Sequence, residues 1–120
     1  MDWLTRADRA LASARLLQAS DPDACASRAY YAAFYAASAV FASEGRSFRK
    51  HSALEAAVHR DLVRSGQWPP ELGKAFSALA SRRITGDYGG HLHVSADEAA
   101  LALDHAETIV AEVRKQLDRT

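Results

Sequence analysis

The chain has 120 residues, 48% hydrophobic and 25% charged, with 15 basic and 15 acidic side chains and a formal net charge of zero. That length buries a core without staples, so a single domain over 1–120 is expected. Neutrality removes any general electrostatic case for nucleic acid, the lone Cys25 excludes an intrachain disulfide, and no apolar run approaches the roughly 20 residues of a membrane span.

Alanine abounds while isoleucine and valine are few, which favours closely packed helices over sheet. The first helix is expected from about Asp2 to Gln18, with Trp3, Leu4, Ala7, Leu11, Ala14 and Leu17 at helical spacing. The charges in MDWLTRADRA replace the apolar run of a secretory signal, so a cytoplasmic protein with no membrane contact is expected. Asp21-Pro22 reads as an N-cap and a first-turn proline. The second helix should then run to about Glu44 and stop at Gly45. It is apolar on nearly every side, so Tyr30, Phe34, Ala37 and Phe41 are expected in the middle of the molecule.

After a basic loop at 45–50, a third helix is expected from about Ser52 to Arg64. Trp68-Pro69-Pro70 makes a rigid turn into a fourth helix, about Pro70 to Arg83. Gly86, Gly89 and Gly90 predict a loop over 85–94. Ser95 and Glu98 fit a capping box that opens a fifth helix ending near Leu117. Nothing alternates with period two for long. The fold class is therefore all-α, an antiparallel bundle of four to five helices.

Chemistry concentrates in two segments. Arg28, Tyr31, Tyr35 and Ser38 share one face of the second helix. Either Arg28 pairs with a carboxylate such as Asp87 while the tyrosines bond backbone, or this face lines a cleft or a dimer seam. Arg82, Arg83, Asp87 and Tyr88 fall at the expected end of the fourth helix, where arginines complement the dipole or hold a phosphate. Arg28, Tyr31, Arg83, Asp87 and Tyr88 are expected to converge, because polar groups on a crowded helix need partners. Within that cluster Asp87 is expected to pair an arginine.

His91 and His93 lack the further ligands of a metal site, so no metal and no cofactor is implied. His51, at a helix start, reads as a solvated or capping residue or as an acid–base. Residues 46–83 carry eight Lys/Arg against three Asp/Glu, and residues 84–120 carry three against seven. Those stretches pack as neighbours, are solvated, or offer a basic surface to a phosphate-bearing ligand or an acidic partner.

Taken in order, SRAYYAAFYAASAVF at 27–41, KHSALEAAV at 50–58, WPPELGKAF at 68–76, RRITGDYG at 82–89 and the acidic last helix resemble a stand-alone prokaryotic subgroup of the HEPN domain family. The resemblance implies a helical bundle, usually a homodimer. Many such members partner a minimal nucleotidyltransferase in toxin–antitoxin pairs. Active members are metal-independent ribonucleases with an arginine and a histidine separated by four to six residues. Here those positions hold Asp87, Tyr88, Gly89 or Gly90, and His91 falls one residue past the window of Arg83. An ionised aspartate cannot donate a proton as histidinium does. The resemblance thus implies a binding module for nucleotide, RNA or a partner protein, with Arg28, Tyr31, Arg82, Arg83, Asp87 and Tyr88 at its site. The alternatives are a dimeric ribonuclease using Arg83 with His51 or His91, and a purely structural interaction bundle.

Overall fold

Side-chain caps set most helix starts in the computed structural model, which describes residues 2–119. Asp2 Oδ1 accepts from the Thr5 amide at 2.7 Å and opens α1, Trp3–Leu17. Asp21 Oδ1 accepts from the Ala24 amide at 3.1 Å and opens α2, Pro22–Ser43. Gly45, at φ +75°, turns the chain out of α2. α3, His51–Ala57, continues as a π-helical turn, Val58–Val63. α4 is Pro70–Tyr88, and α5 is Ala96–Asp118 behind a complete Ser95/Glu98 capping box. The described residues contain no strand, so the all-α expectation holds.

α2 is the axis of the bundle and packs against α1, α3, α4 and α5. Ala29, Ala32, Ala33, Ala36 and Ala37 are fully buried, and small side chains let the neighbouring backbones come close. Tyr30, Ala37 and Phe41 are fully buried and Phe34 nearly so, as the all-round apolar pattern requires. Trp68 is fully buried as well, and its indole N–H donates to Gln116 of α5 at 3.0 Å.

Two boundaries differ from expectation. The third helix widens into the π-helical turn instead of running on as α-helix. The fourth runs five residues past Arg83 to Tyr88, so much of the segment expected as loop is helical. The reason lies at Gly86. A Cβ there would stand 2.6 Å from the Asp23 carbonyl oxygen. Gly86 is thus a point of contact between α4 and the start of α2, and burial against α2 offsets the roughly 1 kcal/mol helix penalty of glycine.

Part of the surface charge is locked in specific pairs. Arg82 reaches Glu98 at 3.1 Å, joining basic α4 to acidic α5. Asp61 accepts from Arg60 at 2.8 Å and from Arg46 at 2.8 Å. Those bonds, Arg60's first, hold the Asp61 carboxyl down at about 2, below its ordinary 3.8. Its folded value is depressed, so its stabilisation is complete above the ordinary value and disappears as pH falls through about 2. Urea midpoints should therefore drop between pH 4 and pH 2, and Asp61→Asn should flatten part of that drop. An unchanged acid limb in the variant would contradict the assignment.

Candidate functional site

Tyr30, halfway along α2, organises the polar centre of the molecule. Its ring is fully buried, and its hydroxyl donates to Glu55 Oε2 at 2.8 Å. Burial, followed by the neighbouring Glu55 carboxylate, pushes the phenol pKa up, so Tyr30 stays a neutral donor. α3 brings this carboxylate to the hydroxyl. His51, one turn before Glu55 on α3, packs beside the same ring at 5.7 Å between centroids, and against Phe34 at 4.7 Å.

Arg83 of α4 approaches Tyr30 from another side, its guanidinium carbon 5.1 Å from the ring centroid. The same carbon lies 5.8 Å from the centroid of Tyr88, whose side chain is 73% exposed. The guanidinium is thus held between an interior ring and a surface ring, a favourable setting for a cation. Asp87, one turn along α4, stands at 3.8 Å from Arg83 Nη1, a loose pair. Arg83 Nε is buried and finds no hydrogen-bond partner among the described residues. A buried donor left unpaired is unusual and costs about 1–3 kcal/mol. The helix extension creates this arrangement: Arg83 and Asp87 share a face because residues 84–87 remain helical.

The other expected site residues divide. Tyr31 belongs to the same aromatic cluster, 5.3 Å from Tyr30 and 5.5 Å from His51. Arg28 makes no ion pair with Asp87. It lies over the Tyr31 ring at 4.7 Å and faces a cleft against α1. Arg82 is paired with Glu98 of α5. His91 is exposed in the turn after α4. His93 Nδ1 pairs with Asp23 Oδ2 at 2.7 Å, while Asp23 Oδ1 accepts from the Val94 amide at 2.7 Å. The Val94 bond, then the His93 bond, holds the Asp23 carboxyl below its ordinary range. His93 therefore belongs to a loop clasp while His91 does not join it, and no group of three or more His, Cys, Asp or Glu placed to hold a metal occurs among the described residues.

Sequence reasoning passed over Glu55 and gave Tyr30 only a core role. The available signal was the four-residue step from His51 to Glu55, which places both on one helix face. The Arg83 guanidinium beside aromatic rings can bind an anion and orient a planar group, with Glu55 already engaged by Tyr30 and Asp87 lying against the arginine. No described helix is long and apolar enough to cross a membrane.

Comparison with known proteins agrees with this architecture. The HEPN domain model matches residues 1–116. A UPF0332 protein of Thermotoga maritima is 33% identical over 117 residues, covering 97% of this chain and 89% of the relative. A UPF0332 protein of Gloeobacter violaceus is 33% identical over 104 residues, covering 85% of this chain and 82% of the relative. A match of that extent, on a bundle with α2 at its centre, makes this chain a member of the HEPN domain family.

Proposed function

We propose that the chain is a HEPN-type binding module that takes a phosphate-bearing ligand, a nucleotide or an RNA segment, at Arg83, beside a minimal nucleotidyltransferase in a toxin–antitoxin-like pair. The observation that carries this reading is the Arg83 guanidinium held between Tyr30 and Tyr88, with its buried Nε left without a hydrogen-bond partner among the described residues. A guanidinium presents planar donors matched to phosphate oxygens, and the exposed Tyr88 ring offers a stacking surface. Family membership supports the nucleotide-related setting. Titration with a nucleotide and with short RNA tests it, and the absence of binding to either overturns it.

The ribonuclease alternative draws on one observation, the approach of His51 and Arg83 to the same Tyr30 ring. Arginine would hold the phosphate and imidazole would move the proton from the attacking 2′-hydroxyl. Cleavage of RNA in EDTA, abolished by His51→Ala, would replace the binding reading with this one.

The module is proposed to work as a two-fold dimer. Ile84, Tyr88 and Leu92 are exposed apolar side chains around the end of α4, beside the site. Large exposed apolar residues in one region suit an interface between copies. Light scattering at micromolar concentration should give twice the chain mass. A clean monomer at high concentration would contradict the dimer.

A further inference from the structure

Arg28, separated from Arg83 by the fold, lines a second basic feature. α1 and α2 run antiparallel, and between them lies an open cleft of about 310 Å³ lined by Arg6, Arg9, Ala10, Ser13, Arg28 and Tyr35. Spacings of three and four put Arg6, Arg9, Ala10 and Ser13 on one face of α1. Arg28 and Tyr35 lie two turns apart on the facing side of α2. No carboxylate lines the cleft. The guanidinium of Arg6 is held over the Trp3 ring at 4.9 Å, and that of Arg28 over the Tyr31 ring at 4.7 Å. Neither is tied up in an ion pair among the described residues. Trp3 and Tyr35 stack at 5.9 Å and 28°, forming an aromatic wall beside Arg6.

Several arginines around one cleft repel one another unless an anion sits among them. In a chain of zero net charge, their concentration with no lining carboxylate is a local choice. The rings beneath Arg6 and Arg28 hold the guanidinium planes while leaving their N–H edges open. Ser13 adds a hydroxyl donor. The volume reaches the lower end of the range for small-molecule sites. We propose that this α1–α2 cleft is a second anion site that binds the phosphate group of a nucleotide, with Arg6 and Arg28 on the phosphate oxygens and the Tyr35 ring beside the base. The proposal stands independently of the Arg83 site, sharing its phosphate chemistry but none of its residues.

The nucleotide could be free or part of an RNA strand, and three probes separate these sources: inorganic tripolyphosphate, ATP and a short single-stranded RNA. Titration calorimetry on the full chain should detect tripolyphosphate binding that weakens with salt. The Arg6→Gln/Arg28→Gln double variant should lose about tenfold or more in affinity, the loss expected for charge-assisted bonds. Arg64→Gln, a change on an exposed arginine elsewhere, should leave it unaltered. ATP binding tighter than tripolyphosphate assigns a free nucleotide, and RNA binding tighter than ATP assigns a strand. The proposal is overturned if none of the three probes binds the wild type. It is also overturned if the double variant binds as well as the wild type, or if binding is lost only in Arg83→Gln, a result that leaves the Arg83 reading standing. Should circular dichroism show the double variant unfolded, Arg6→Gln alone carries the test, since that side chain is exposed on α1.

Discussion

Tyr30→Ala is expected to lower the unfolding free energy by about 3–5 kcal/mol, the usual range for deleting a fully buried aromatic ring. The ring is fully buried and meets α3 through His51 and Glu55 and α4 through Phe76 and Arg83. Removing it opens a cavity where three helices meet and takes away the surface on which Arg83 lies. Tyr30→Phe keeps the packing and deletes only the bond to Glu55, so about 1.5–3 kcal/mol is expected, the range for a hydrogen bond to a charged group. Urea unfolding followed by circular dichroism separates the two. If Tyr30→Ala costs no more than Tyr30→Phe, the ring is not a structural centre.

Arg83→Gln is expected to weaken binding of the phosphate-bearing ligand by about 10- to 100-fold, the equivalent of 1.5–3 kcal/mol for a charge-assisted bond. It should cost little stability, because the Asp87 pair at 3.8 Å is loose and Nε has no internal partner to lose. Arg83→Lys restores the charge without the planar fork, so it should recover only part of the affinity. Full recovery by lysine would mean that the site reads charge alone. A weaker-binding variant that is also badly destabilised would point to a structural arginine instead.

The bundle was legible because local signals agreed. Asp21-Pro22, Gly45 and Ser95/Glu98 marked helix ends, and the alanine–aromatic run of α2 marked the centre. The end of α4 was not legible, because Gly86 looks like a breaker in sequence and becomes a contact point only once Asp23 lies against it. The two segments rich in polar chemistry were legible as such, but their pairing was not. Arg28 and Arg83 both sit on helices packed at α2, yet their side chains leave in different directions, one over Tyr31 and the other over Tyr30. The one-residue step from Tyr30 to Tyr31 along α2 turns the face by roughly 100°, which separates the ring that each arginine meets. Glu55 was silent for the same reason: its partner Tyr30 lies on another helix and carries no sequence mark.

The most direct test of the central claim is to follow the Arg83 Nε–Hε resonance by nitrogen–proton correlation NMR while short single-stranded RNA, or ATP, is added. That group is buried and has no internal hydrogen-bond partner, so a phosphate bound on the same guanidinium should shift it strongly, with a saturating titration that Arg83→Gln removes. An Arg83 signal that stays fixed while ligand binds elsewhere, or while nothing binds at all, would contradict the account.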